Sequence, residues 1–155
     1  MTATDELTIE LSDITLPEVA QLLERLTSEL ANRYNDDGQG DWHPSDMDKP
    51  GSGFLVARWA GKAVACGAFR PLVGDVGEVK RMYVEPAFRG RGIGKRILTA
   101  LEERGRQAGY TRMWLETGTS QPEAVCLYEA AGYRRIAPYG FYRYDPRSLC
   151  YEKVL

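Results

Sequence analysis

The sequence predicts a mixed α/β fold, a mostly antiparallel twisted sheet of six to seven strands flanked by three to four helices. Three observations carry this reading. Short apolar or alternating runs bounded by glycines recur along the chain, as strands do. Three longer segments repeat their apolar residues at helical spacing. The resulting order is β-α-β-β-β-α-β-α-β-β, so hairpin turns join the early strands and a right-handed crossover surrounds the central helix. With 155 residues, one domain over positions 1–155 is expected.

The elements follow in order. Leu7 to Leu11 alternates apolar and polar, a half-buried strand. Thr15 and Glu18 have capping-box spacing, with Pro17 in the first turn and Val19, Leu22, Leu23, Leu26 and Leu30 on one helical face. Asn35 to Gly53 is a polar loop with Asp36, Asp37, Asp41, Asp46 and Asp48, and either attracts a cationic amine or is simply solvated. Trp42 and His43 touch substrate or pack the loop down. Phe54–Trp59 and Ala63–Phe69 flank Gly61-Lys62 as a hairpin, and Val76–Val84 is the next strand. A helix opens after the glycines at 90, 92 and 94. It buries Ile93, Ile97, Leu98 and Leu101, turns Lys95, Arg96, Glu102, Glu103 and Arg106 outward, and stops at Gly109. Met113–Leu115 is a short buried strand. Ser120 and Glu123 suggest a second capping box, for a helix ending near Ala131. Two strands around a Pro- and Tyr-rich turn complete the chain, where Tyr139, Phe141, Tyr142 and Tyr144 either line an acceptor pocket or serve as strand and turn residues.

Composition excludes several classes. The 20 basic and 22 acidic side chains leave no global positive field for nucleic acid. A single histidine, His43, rules out sites that need two, and no metal is expected. Cys66, Cys126 and Cys150 are too few and too scattered for a disulfide framework, and their odd count suggests a reducing compartment. Cys126 reads as a packed thiol. Met1 to Glu10 has no secretory pattern, and no apolar run nears the roughly eighteen residues of a membrane span. The expectation is a cytoplasmic protein without nucleic-acid or membrane partner, monomeric or homodimeric.

The strongest chemical signal is Arg89-Gly90-Arg91-Gly92-Ile93-Gly94-Lys95, between a strand and a helix. Alternate glycines let the backbone approach a ligand, and free N–H groups at a helix start favour a phosphate or pyrophosphate. A dinucleotide fingerprint and a P-loop both fail here, because Lys95 and Arg96 stand at discriminating positions. Arg89, Gly92 and Gly94 instead fit R/Q-x-x-G-x-G/A. At these residues the chain resembles the GCN5-related N-acetyltransferase (GNAT) superfamily. Glu78 to Val84 resembles its fourth strand, Leu115-Glu116-Thr117-Gly118 its fifth, and Ala124 to Tyr133 the segment carrying its tyrosine.

The resemblance implies an acetyltransferase that moves the acetyl group of acetyl-coenzyme A directly to a primary amine of a small molecule or peptide, without a covalent acyl-enzyme. Met82, Tyr83 and Val84 would border the pantetheine arm, and Arg89, Gly90, Arg91, Gly92, Ile93, Gly94 and Lys95 the pyrophosphate. Gln121 stands where relatives commonly place an asparagine. Tyr128 matches the general acid, and the oxyanion donor would be a backbone N–H near Met82. Glu78 is the expected base acting through water, with Glu116 the rival carboxylate. Strand alternation would put Glu78, Lys80, Met82 and Val84 on one face, and Val79, Arg81 and Tyr83 on the other. The alternative reading is a non-catalytic acyl-coenzyme A-binding regulatory module.

Overall fold

The computed structural model describes residues 6–155, so the reading of Met1 to Asp5 lies outside the described residues. The strands are β1 (Leu7–Leu11), β2 (Gly53–Trp59), β3 (Lys62–Val73), β4 (Val76–Val84), β5 (Arg112–Gly118), β6 (Arg134–Ile136) and β7 (Ser148–Val154). The helices are α1 (Pro17–Tyr34), α2 (Ile93–Gln107) and α3 (Pro122–Ala130). The seven strands form one sheet in the order β1-β2-β3-β4-β5-β7-β6. Every neighbouring pair is antiparallel except β4 and β5, which are parallel and joined through α2. The predicted element order and fold class are both met.

Two apolar layers sandwich the sheet. Val19, Leu22 and Leu26 of α1 pack on Phe54, Val56, Cys66, Ala68 and Tyr83. On the other face, Ile93, Ile97, Leu98 and Leu101 of α2 pack on Leu55, Ala65, Val79, Met113 and Leu115, with Tyr128 of α3 in the same layer. Each amphipathic helix thus buries the face its sequence period defines.

Several local expectations are corrected. Neither predicted capping box forms. Thr15 spends its hydroxyl on Asp13 at 2.7 Å, and Leu16 precedes α1 with no side-chain cap. Gln121, not Ser120, precedes α3, and Glu123 pairs with Arg33 instead. Glu102 is buried, with Lys153 Nζ 3.0 Å away; α2 lies against β7's end, which the helical wheel alone does not reveal. Cys126 is exposed rather than packed.

The correction that matters for the site is in β4. Ala68 pairs with Lys80 but Cys66 pairs with Tyr83, so Arg81 and Met82 together oppose Gly67. This is a β-bulge, and Arg81 takes a left-handed φ of 55°. Its guanidinium is held by Thr27 Oγ1 and by the carbonyls of Gly38 and Gln39, at 2.6–3.3 Å, which compensates the backbone strain. Beyond the bulge the alternation shifts by one. Met82 and Val84 join Val79 on the α2 face, and Tyr83 packs on the α1 face. Gly67 is required opposite the bulge, because a Cβ there would meet Met82 Sδ, Ile97 and Leu101 at 2.8–2.9 Å.

Candidate active site

Strands β4 and β5 pair only from Val76 to Val79 with Arg112 to Leu115. Past that point they splay, leaving the β5-facing edge of Lys80–Val84 without a strand partner. Two cavities occupy the opening. One, of about 490 Å³, is lined on the α1 side by Leu26, Tyr34, Lys80, Glu116, Thr117 and Tyr142, among others. The second, of about 290 Å³, is lined by Tyr83, Val84, Arg89, Gly92, Gly94 and Lys95. They share Leu26, Met82, Gln121 and Tyr128 as a common wall.

The smaller cavity is bordered by the glycine-rich turn and the start of α2. Gly90 and Gly92 adopt φ of 81° and 76°, which L side chains rarely take. Gly92 precedes α2, so the first N–H groups of that helix face this cavity with the positive end of its dipole. The Arg89 guanidinium is committed within the protein, donating to the Val84 carbonyl at 2.8 Å and pairing with Glu29 at 2.8 Å. That leaves the backbone, rather than this side chain, to meet a ligand. Of the expected cofactor residues, Met82, Tyr83, Val84, Arg89, Gly90, Gly92, Ile93, Gly94, Lys95 and Gln121 line the cavity. Arg91 does not: its guanidinium stacks 5.2 Å from the Trp59 ring and 5.0 Å from the Phe88 ring, drawn away by cation–π attraction.

Tyr128 is 6% exposed and sits edge-on to Tyr133. Burial, reinforced by the nearby Glu116 charge, raises its phenol well above the ordinary value, so it holds its proton at any working pH. The two carboxylates separate sharply. Glu78, 1% exposed, accepts from Arg70 Nε at 2.9 Å and from Tyr139 at 2.5 Å, and it does not line either cavity. The structure therefore does not bring the expected base to the cavities; one of its oxygens is taken by Arg70 of β3 and the other by Tyr139 after β6. Glu116 lines the larger cavity and accepts from Ser148 Oγ at 2.7 Å. Burial pushes its carboxyl up to about 7, against the pull of Ser148 and Lys80.

The acidic loop is largely structural at its centre. Asp41 and Asp46 pair with Arg70 at 3.1 and 2.5 Å. Burial works against the Asp46 charge, but Lys49 and Arg70 outweigh it and hold the carboxyl below its usual range. Trp42 is packed in the core under Arg81, while Asp36 and Asp37 do reach the cavity. Phe141 and Tyr142 line it as well; Tyr139 supports Glu78, and Tyr144 is exposed. Thr117 was missed by sequence reasoning. It is buried, lines the cavity and has a hydroxyl without a partner among the described residues. Lys80 was also missed as a site residue, and only its place beyond the last paired register marks it. Among the described residues no cluster of His, Cys, Asp and Glu suits a metal, and no helix is long and apolar enough to cross a membrane.

A parallel pair splayed beside a glycine-rich helix start, with a buried tyrosine between two cavities, is an arrangement suited to an acyl-coenzyme A transferase. The comparisons agree. The Acetyltransferase (GNAT) family profile matches residues 16–133. The chain is 41% identical over 138 residues to the IAA acetyltransferase of Azospirillum brasilense, covering 88% of this chain and 90% of that one. A Klebsiella pneumoniae protein taken to be an acyl-CoA N-acyltransferase superposes with a TM-score of 0.81 at 31% identity, covering 96% of this chain and 97% of that one. A GNAT family acetyltransferase from Elizabethkingia anophelis, solved with acetyl-CoA bound, shares the fold with a TM-score of 0.71 at 19% identity, over 97% and 99% of the two chains. The chain belongs to the acetyltransferase (GNAT) family. It is an N-acetyltransferase whose cosubstrate is acetyl-coenzyme A.

Proposed function

We propose that the enzyme transfers acetyl directly from acetyl-coenzyme A to a primary amine, with no acyl-enzyme. The observation that carries this is the wall shared by the two cavities. A thioester lying in the Gly90–Lys95 cavity reaches Tyr128 and Met82 from one side, and an acceptor in the larger cavity reaches them from the other. Bound acetyl-coenzyme A supplies the acetyl group and a thiol leaving group. Glu116 takes a proton from the ammonium of the acceptor, directly or through water. The backbone N–H of Met82, one of the two bulge residues, is the donor assigned to the carbonyl oxygen as negative charge develops there. Tyr128 donates to the departing sulfur. One of the two protons lost by nitrogen thus leaves through Glu116 to solvent. The other is lost from nitrogen to water after the C–N bond forms, and the tyrosinate takes a proton back from water as the C–S bond breaks, so the products are the amide, the free thiol and one proton released to solvent. Glu116 replaces Glu78 in this reading because it alone of the two faces the cavity.

The test is a panel of primary amines with acetyl-coenzyme A, following free thiol release and acetylated product by mass spectrometry. IAA, the compound in the relative's name, is run beside the amines as a separate candidate acceptor. Thiol release matched by acetylated amine is expected, with no acetyl adduct on the protein when amine is omitted. Tight acetyl-coenzyme A binding without product from any amine would favour the regulatory module instead.

A further inference from the structure

Lys80 stands out in the larger cavity. The β4–β5 register pairs Glu78 with Trp114 and Val79 with Leu115, so the next step sets Lys80 across from Glu116, where the strands part. Among the described residues the two opposite charges remain unpaired, and Lys80 has no carboxylate within ion-pair distance. Its ammonium donates to the Tyr142 hydroxyl and lies 4.9 Å from that ring centroid. An ammonium has three donors, so two are left without a protein partner among the described residues, on a side chain that lines the cavity. Glu78 and Asp41 are taken by Arg70, and Asp145 and Asp36 by Arg147; Asp37 borders the same cavity and accepts from the Gln39 backbone N–H at 3.0 Å, with no ion pair among the described residues. The other cations are engaged too, Arg81 by loop carbonyls and Arg147 by those aspartates. A half-buried cation with spare donors is costly to leave unmatched, and the burial that pulls Lys80 below its ordinary value expresses that cost.

We infer that the acceptor is an amino-carboxylate, whose carboxylate is bound by Lys80 beside Tyr142 while its amine faces Glu116. The cavity is large enough for a side chain as well, since Tyr34, Leu30, Phe141 and Tyr142 wall it away from the fork. Lys80 is then a specificity-determining residue, and Thr117 offers its free hydroxyl to the same ligand. This inference rests on the amine-acetylating function proposed above.

The experiment compares free amino acids of small, aliphatic and aromatic side chain with their carboxamides, which also mimic a peptide amino terminus. The amide's amine is less basic, so more of it is free at neutral pH, and the comparison is biased against the inference. Wild-type enzyme is expected to prefer at least one acid over its amide by roughly tenfold to hundredfold in kcat/KM, mostly through KM, the scale of a hydrogen bond to a charged group. Lys80→Met should collapse that ratio towards one, and Lys80→Arg should restore part of it. Equal rates on acid and amide in wild type, or a carboxylate preference that survives in Lys80→Met, overturns the assignment while amine acetylation stands. If acetyl-coenzyme A binds and no acid, amide or other amine is acetylated, it is the underlying function that fails.

Discussion

Between Val76 and Val79, β4 is zipped to β5; from Lys80 onward it is not. The two stretches carry similar residue types yet use them differently. In the zipped half, Glu78 is saturated by Arg70 and Tyr139, and Arg70 is itself shared with Asp41 and Asp46. That network ties the Asp-rich loop to the sheet. In the splayed half, Lys80, Glu116, Thr117 and Tyr128 border open space with hydrogen-bonding capacity to spare. Polar groups buried where the backbone ladder is complete become structural. Those placed where it ends are left for a ligand.

The sharpest break of this contrast is Tyr128→Phe. Removing the phenol at the shared wall should lower kcat by roughly a hundredfold or more, the usual scale for lost acid catalysis, with little change in acetyl-coenzyme A affinity by calorimetry. Wild-type turnover in the variant, with chemistry rate-limiting, would make Tyr128 a packing residue against Tyr133.

The next effect separates the two carboxylates. With Glu116 pushed up to about 7, the base form accumulates as pH rises through that value, so kcat/KM should climb from pH 6 and flatten above about 8. Glu116→Gln should abolish this limb and cost on the order of tenfold or more at pH 8. Glu78→Gln should keep the limb and instead lower stability by about 1–3 kcal/mol, because Arg70 and Tyr139 lose a charged partner in a buried network. A limb lost in Glu78→Gln and kept in Glu116→Gln would return the catalytic role to the zipped half.

Gly92→Val tests the anion site. Its φ of 76° strains any β-branched residue, although no atom lies within 4 Å to clash. A backbone strain of roughly 1–3 kcal/mol should distort the turn, weakening acetyl-coenzyme A binding about tenfold while the fold persists. Unchanged affinity in a folded variant would remove the turn from the cofactor site.

The same contrast explains what the sequence made legible. Strand and helix order and the Gly90–Gly94 turn follow from short-range patterns, which periodicity and glycine spacing report directly, while Tyr128 is picked out only by the resemblance to the family. The bulge follows from no such pattern. Neither Arg81 nor Met82 is a glycine, and the left-handed turn at Arg81 is stabilised by carbonyls more than forty residues away in sequence. Strict alternation therefore grouped Met82 and Val84 with the wrong face. Glu78 looked catalytic because it heads the strand that resembles the family's fourth; its partners, Arg70 on the neighbouring strand and Tyr139 sixty-one residues further on, are not visible in the local sequence. Where two strands stop pairing is a tertiary fact, and the identity of the free carboxylate depends on it.

The smallest expected effect sharpens the comparison without reference to activity. Burial raises the Glu116 carboxyl from 4.5 to about 7 in the folded protein, so the native state binds its proton more tightly than the unfolded chain does. Between pH 4.5 and 7 the native state therefore carries more protons at this group, and its contribution to stability falls as pH rises. Above 7 the full cost is present, on the order of 1–2 kcal/mol after allowance for screening at a half-buried site. Glu116→Gln removes that cost. The Tm of the variant relative to wild type should thus be higher at pH 8 than at pH 5, by about 2–6 °C for a chain of this size. Thermal melts of both proteins across that range read it directly. A difference that stays constant with pH would mean Glu116 is as well solvated or as well paired in its half of the fork as an ordinary carboxylate. The splayed half would then hold no poised base, and the acceptor amine would have to arrive already deprotonated.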